Sequence, residues 1–418
     1  MAMASTDLDA FRREARTWIE ANLERRTSRS AAVSAAEART PEEIAQSRQL
    51  QRRLFDAGWA GISYPEDYGG RGLTEAHERV FNEESDQYLT PDFGAVGLVT
   101  FGPIGRSMLA HATPEFLQRH IPKMLAGEAL WCQFYSEPEA GSDLAGIRTR
   151  ATRDGDQWVI RGSKIWTTGA PNADYAMCLA RTDWQATKHR GLTWFAVPMT
   201  AHGVSVRPIV LVDGNAGFCE ETIDDVVVSD DDIIGRVNDG WSVAQTMLVY
   251  ERRAGEGFSV AEPREIAPDL VSLARKANRL NDPIVRQAIA RAHINDYAQH
   301  HLGKRLFAVL STASSPNPAI AAYIKLAGGV LVPERVRLAM EIGGPDALAW
   351  DDDDSQGSQL AAEYLTGRIA SIGGGTNEVQ RNGIGERVLG LPREPSFDSR
   401  TPFADVVAAS RNWNHRVG

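Results

Sequence analysis

The sequence predicts an α+β protein in three parts. A helical N-terminal domain (residues 1–130) precedes a small central antiparallel β-barrel or sandwich (131–235), and a C-terminal four-helix bundle (236–395) is followed by a tail (396–418). Three observations carry that prediction. Apolar residues recur at helical spacing up to about residue 130, at a spacing of two from Trp131 to Gly235, and at helical spacing again beyond it. The middle stretch is cut into short runs by Gly, Pro, Asn and Asp, as small antiparallel sheets are. The last third instead carries long helical patterns with short links, which suits a bundle.

Taken in order, Leu8, Phe11, Ala15, Trp18, Ile19 and Leu23 form the apolar stripe of a first amphipathic helix. The Ala/Ser/Arg-rich stretch Ser28–Thr40 reads as a mobile surface segment. A second helix through Leu50 and Leu54 ends near Gly58, and Pro65 with Gly69-Gly70 interrupts any regular element after it. His111 has no second histidine at metal-ligand spacing and reads as a surface or capping residue. In the middle part, Gln157–Arg161, Tyr175–Leu179, Leu192–Met199, Val204–Val206 and Thr222–Val228 are the candidate strands.

Beyond Gly235, Asn238-Asp239 offer an N-cap for a helix over 238–258. Further helices are expected from about Ala267 to Lys276, Pro283 to Leu310, Ala319 to Ile342 and Ser358 to Ser371. Thr376 caps a last one, with Glu378 in its first turn and Gly390 and Pro392 past its end. The run Asp351–Asp354 reads as a solvated loop, since nothing nearby completes a coordination sphere; no metal is expected.

Composition narrows the function classes. A chain of 418 residues is long enough for two or three domains. Its 45 Lys and Arg against 55 Asp and Glu give a formal charge of −10, which argues against nucleic acid as a partner. Cys132, Cys178 and Cys219 show neither metal-like spacing nor a disulfide framework. The first residues lack an apolar signal core, and no stretch approaches the ~18 apolar residues of a membrane span. A soluble, cytoplasmic protein with no membrane partner is expected.

The chemistry concentrates between Gln133 and Thr168. Tyr135-Ser136-Glu137-Pro138 ends an apolar run with hydroxyls, and Gly141-Ser142-Asp143 adds bare backbone N–H groups suited to an anion or a ring edge. Lys164-Ile165-Trp166-Thr167-Thr168 then places an indole between polar neighbours. In isolation this is equally a β-hairpin whose Trp166 fills a core. The order of the pieces, however, resembles the middle region of the flavin-dependent acyl-CoA dehydrogenases, and the resemblance spans about residues 5–395. It implies FAD held by Gln133, Tyr135, Ser136, Gly141, Ser142, Trp166 and Thr168, with Arg275, Gly343, Gly344 and Thr376 completing the cofactor site. Ser142, Arg252 and Gly373 are then expected near an acyl-CoA substrate.

Desaturating an acyl thioester needs a base at Cα and a hydride acceptor at Cβ. In many family members the base is the Glu of a Tyr-Glu-Gly-Thr tetrad before the last long helix. The matching stretch here is Ile372-Gly373-Gly374-Gly375-Thr376, so the carboxylate position is Gly374. Glu251 is the rival. Ala244, Met247, Leu248, Gly255 and Phe258 share its helical face, all apolar or small, which predicts a pKa raised by desolvation. A salt bridge to a neighbouring arginine is the other reading, although Arg252 and Arg253 point elsewhere around the helix. The resemblance favours catalysis, because branched-chain and long-chain members carry the base on this earlier helix as Glu followed by Arg. Gly374 is then expected to offer its backbone N–H to the thioester oxygen, or else to be only a flexible helix entry.

The resemblance thins where a neighbouring subunit of typical homotetramers holds the pyrophosphate and adenine. Their Arg-x-x-Phe-Gly and Gln-x-x-Gly-Gly stretches correspond to Lys276–Leu280 and Met340–Gly344, which lack the Phe and the Gln, and Glu341 would repel a pyrophosphate. Either Arg275 or Arg279 substitutes, or a homologous chain supplies that half in a heterotetramer. The expected activity is an FAD-dependent acyl-CoA dehydrogenase yielding a trans-2-enoyl-CoA, with an electron-transfer flavoprotein as reoxidant. The alternatives are a non-catalytic or half-site subunit and a flavin oxidase or monooxygenase on the same fold. Gly373 and Gly374, with Gly255 and Gly257, predict a wide pocket for bulky, branched or ring-bearing acyl groups.

Overall fold

The structure, a computed structural model, describes residues 2–26, 39–254, 266–312, 318–349, 355–393, 395, 396 and 398–413. Gly255, Gly257, Phe258, most of the Ser28–Thr40 segment and the Asp351–Asp354 run lie outside the described residues. The chain forms two compact units: residues 1–211, 215–247 and 397–418 make the first, and 212–214 with 248–396 the second.

In the first unit α1 (Ala2–Asn22) buries Phe11, Ala15 and Ile19, and these pack with Trp59, Phe81 and Tyr88. The α2 helix (Pro41–Asp56) opens on a reciprocal cap, Thr40 accepting from the Glu43 N–H while the Glu43 carboxylate accepts from the Thr40 N–H, with Pro41 at the first turn. Then follow α3 (Glu75–Ser85), α4 (Gly94–Val99), α5 (Gly105–His111) and α6 (Pro114–Leu125). Ile104, Met108, Phe116, Ile121 and Met124 pack against Trp131, Met177, Leu179 and Trp194 of the sheet, so the helices floor it.

The sheet has eight strands: β1 (Trp131–Phe134), β2 (Arg150–Asp154), β3 (Gln157–Thr168), β4 (Tyr175–Arg181), β5 (Leu192–Pro198), β6 (Val204–Ile209), β7 (Phe218–Ser229) and β8 (Ile233–Ile234). Their order is β6-β7-β3-β2-β4-β5-β8, with β1 on β4. Most pairings are antiparallel, as the alternating runs predict, but β1 and β2 each pair with β4 in parallel. Neither of those pairs is joined by a hairpin, so no tight turn dictates direction. The runs 157–161 and 164–168 turn out to be one strand. It is bent against β7 by irregularities at Ile160/Gly162 and Ile165/Thr167. Gly162 is required there, because a Cβ would sit 2.4 Å from the Thr149 hydroxyl.

The α7 helix (Gly240–Ala254) belongs to the first unit as far as Met247 and to the second from Leu248. The second unit continues with α8 (Pro268–Lys276), α9 (Pro283–Thr312), α10 (Ala322–Gly343), α11 (Ser355–Thr366) and α12 (Asn377–Arg387). The central α10 packs against α8, α9, α11 and α12. Leu270, Ala274, Val285, Ile289, Leu338, Ile342 and Leu360 fill the core of this bundle. Thr376 caps α12 as expected, accepting from the Val379 N–H. The stretch set apart as a tail is folded: α13 (Phe403–Trp413) lies in the first unit, with the Phe403 and Ala404 N–H groups donating to Ala186 and Trp184. None of the described helices is long and apolar enough to cross a membrane.

Candidate active site

Burial of an ionic pair fixes the middle of the Gln133–Thr168 region. Lys164 has no solvent exposure, and its Nζ donates to the Glu137 carboxylate and to the Tyr135 carbonyl, both at 3.0 Å. Glu137 also accepts from the backbone N–H of Arg148 (2.6 Å) and of Thr149 (2.9 Å). Burial pushes its pKa up, but Lys164 and the donors from Thr149 and Arg148 outweigh that and hold the carboxyl below its ordinary value. The Ile165 N–H adds a bond to the Ser136 carbonyl. The two motif pieces, about thirty residues apart in sequence, are therefore stitched together by buried polar contacts.

On this base sits an open ledge. Trp166 has a left-handed backbone at φ 67° on the second bulge, and its side chain is 54% exposed, edge-on to Phe218. An exposed indole held in a strained conformation is not what core packing selects, so the reading of Trp166 as core is excluded. Thr168 and Ser136 are half-buried, and Gly141 and Ser142 are exposed. A Cβ added at Gly141 would meet nothing within 4 Å, so that backbone is open to approach. An aromatic face, hydroxyls and open backbone donors suit a planar heteroaromatic with carbonyl edges; the residues fit a flavin. Just past Ser142, Asp143 is tied to Lys188 at 3.0 Å, and Lys188 also holds Asp398 at 2.5 Å. Burial lowers the Lys188 pKa, but the Asp398 and Asp143 carboxylates more than offset it.

The second unit brings Glu251 and Gly374 together, although 123 positions separate them in the numbering of the chain. A Cβ at Gly374 would lie 3.7 Å from Oε1 of the half-buried Glu251 and 3.4 Å from Cε of Lys325. Gly374 itself is left-handed at φ 67°, and Gln380 Nε2 donates to its carbonyl at 3.1 Å. Among the described residues no acceptor takes the Gly374 N–H. Lys325 Nζ donates to the Ala370 carbonyl at 2.8 Å, which pins its stem beside the glycine. The side chain of Arg252 lies outside the described residues, while Gly373 is exposed with only Ile369 near its would-be Cβ.

The Lys276–Leu280 and Met340–Gly344 stretches also meet in the second unit, but not as a free cationic site. Arg279 Nη1 donates to the carbonyls of Glu341 (2.6 Å) and Ile342 (3.3 Å) and Nη2 pairs with Asp282. That guanidinium closes the end of α10 and lies 2.7 Å from a Cβ built at Gly344, whose φ is 61°. Arg279, offered alongside Arg275 or a homologous chain as a pyrophosphate contact, thus turns Nη1 to the end of α10 and Nη2 to Asp282. Arg275 is exposed. Glu341, expected to repel a phosphate, is paired with Arg337 four residues earlier. Sequence reasoning missed the contacts of Glu137, Lys164, Lys188 and Lys325, since isolated charged residues read first as solvated.

Models of the N-terminal, middle and C-terminal domains of acyl-CoA dehydrogenase match residues 5–128, 132–226 and 238–389. The chain is similar to acyl-CoA dehydrogenase IpdE1 of Mycobacterium tuberculosis, at 36% identity over 397 residues that cover 93% of this chain and 99% of that one. It is similar in structure to the Tcur3481-Tcur3483 steroid ACAD (TM-score 0.73, 28% identity, 93% of this chain and 98% of the other). It also resembles the ChsE4-ChsE5 complex from Mycobacterium tuberculosis (TM-score 0.68, 28% identity, 93% and 98%).

Proposed function

The chain belongs to the acyl-CoA dehydrogenase family, an oxidoreductase family that uses FAD, and from that premise we propose that it desaturates a bulky acyl-CoA between Cα and Cβ to a trans-2-enoyl-CoA. The observation that carries this reading is the carboxylate of Glu251 standing within 3.7 Å of the side-chain position that Gly374 leaves vacant. The chain thus has a carboxylate where the tetrad lacks one. FAD, when bound, supplies the hydride acceptor for Cβ. Gln133, Tyr135, Ser136, Gly141, Ser142, Trp166 and Thr168 hold and orient the flavin ring. Glu251 removes the α-proton, and the Gly374 N–H donates to the thioester oxygen as charge builds there. Lys325, anchored on Ala370, borders the same glycine as the carboxylate.

The substrate we infer carries a ring system near the reacting carbons. Gly373 and Gly374 remove two large side chains, and a solved relative at 28% identity is a steroid ACAD. Gly374 does not open an empty space, since the Lys325 stem borders it; the room lies on the Gly373 side. We also infer assembly with a homologous chain. Arg279 donates to the end of α10, and one structurally similar protein is the ChsE4-ChsE5 complex. An electron-transfer flavoprotein is the inferred reoxidant.

The test is a panel of acyl-CoAs from butyryl to branched and polycyclic ones, assayed with an artificial electron acceptor on the chain alone and with its homologous partner. Each well-placed extra methylene is worth ~1–3 kcal/mol in an apolar pocket, so kcat/KM rises toward the bulky substrates. Butyryl-CoA as best substrate contradicts the substrate reading, and one FAD per chain in a homotetramer contradicts the need for a partner.

A further inference from the structure

Among the described residues, Glu137, Lys164 and Glu221 are buried charged groups of the sheet region that carries the ledge. Glu137 and Lys164 are paired as above. Glu221 on β7 stands opposite Lys164 in the register and has no solvent exposure, yet Lys164 directs its hydrogen bonds to Glu137 and Tyr135. The only hydrogen bond the Glu221 side chain makes among the described residues is between Oε2 and the Thr167 hydroxyl, at 2.8 Å; Oε1 has no partner among them. An ionised carboxylate buried with one neutral donor and an unpaired oxygen is costly, whereas the protonated acid is not.

Thr167 settles which atom carries the proton. Its Oγ1 lies 2.8 Å from Glu221 Oε2 and 3.3 Å from the Gln133 carbonyl, and a hydroxyl has a single proton to give. If Glu221 is ionised, Thr167 donates to it and the Gln133 carbonyl goes without. If Glu221 is protonated, its O–H donates to Thr167 and Thr167 donates to Gln133, so both contacts are satisfied in one direction. Thr167 is flanked by Trp166 and Thr168, the ledge residues.

We propose that Glu221 is a positioning residue: a neutral carboxylic acid whose proton locks Thr167 to Gln133 and so holds the Trp166–Thr168 ledge in its left-handed bulge. The claim rests on the reading of that ledge as the flavin support. The groups that face Glu221 are Lys164 on β3, Glu220 beside it (paired with Arg207), and the thiols of Cys132, Cys178 and Cys219. Burial raises the Glu221 pKa and outweighs the Thr167 bond, and with Glu220 adding to it and Lys164 opposing, it reaches about 7. The folded value thus stands above the ordinary 4.5, so the native state binds the extra proton. The resulting stability is full below the unfolded value and is lost as the pH rises to the folded one.

The experiment follows thermal unfolding and flavin retention of wild-type holoenzyme and Glu221→Gln from about pH 5 to about pH 8. The carboxamide can still donate to Thr167 but cannot ionise. The wild-type Tm is expected to fall relative to the variant across this window, with flavin release rising in step, while the variant stays level. Parallel profiles overturn the proposal. Should Glu221→Gln not fold, the infrared spectrum of the wild type decides: a protonated-carboxyl stretch present at about pH 6 and gone by about pH 8 supports the neutral acid, and its absence at the lower pH overturns it. A Tm profile as expected with flavin retention unchanged leaves the neutral acid standing and sinks the ledge as a flavin support.

Discussion

In the first unit the groups assigned to the flavin are held by side chains that are present. Lys164, Glu137 and Thr167 make buried bonds that fix where Trp166 and Thr168 stand. In the second unit the groups assigned to acid–base work are placed by a side chain that is missing. Gly374 adopts a left-handed backbone, leaves its N–H toward no acceptor among the described residues, and sets no side chain beside Glu251. A cofactor support needs rigidity, and buried polar networks supply it. A base needs a dry approach to carbon, and removing a competing side chain supplies that. The family's motif is accordingly kept in the first unit and altered in the second, where Gly374 stands at the tetrad's carboxylate position and Glu251 is the proposed base.

The comparison breaks differently in each half. The largest effect is expected from Glu251→Gln, which should keep FAD and lose ~10²–10⁴ in the rate of flavin reduction under anaerobic mixing with substrate. Next comes Lys164→Met. It strands Glu137 as an unpaired buried carboxylate, which costs ~3–5 kcal/mol, and flavin content should fall together with Tm. The pH response has a sign. Because the folded pKa of Glu137 lies below the ordinary value, its contribution is present above about 4.5 and is lost as the pH falls through the lower folded value. Lys164→Met should therefore flatten the acid side of the Tm profile.

Gly374→Ala sharpens the contrast with a smaller effect. Its Cβ has ordinary contact distances to Lys325 and Glu251, so the cost is mainly the left-handed backbone, ~1–2 kcal/mol. Activity should fall while flavin content holds, because the lesion is confined to the second unit. Equal loss of flavin and activity would show that the two halves are not separable in this way.

Much of this was legible in residue pattern. The change of period at Trp131 and again after Gly235 located the sheet, and the cap at Thr376 behaves as short-range chemistry requires, whereas Thr40, read as the end of a surface segment, caps α2. The cofactor motif was legible as a set of spaced types, but not the reason for its spacing. That reason is a buried charge pair, and pattern reading assigns charged residues to the surface. The continuity of β3 was hidden because Arg161-Gly162 looks like a break and is a bulge. Arg279 was open to two readings for a similar reason: a cation near a glycine pair fits an anion site and a helix end equally well, and its bonds to the carbonyls of Glu341 and Ile342 show the helix end.

The central claim is that Glu251 moves the proton at Cα, and isotope exchange measures it most directly. Wild-type protein and Glu251→Gln, each with FAD and with an acyl-CoA that bleaches the wild-type flavin, are held without oxygen in D2O, and the α-hydrogen of the thioester is followed by NMR. Washout of the α-hydrogen by the wild type and its retention with the variant are expected. Exchange by Glu251→Gln at the wild-type rate would contradict the claim.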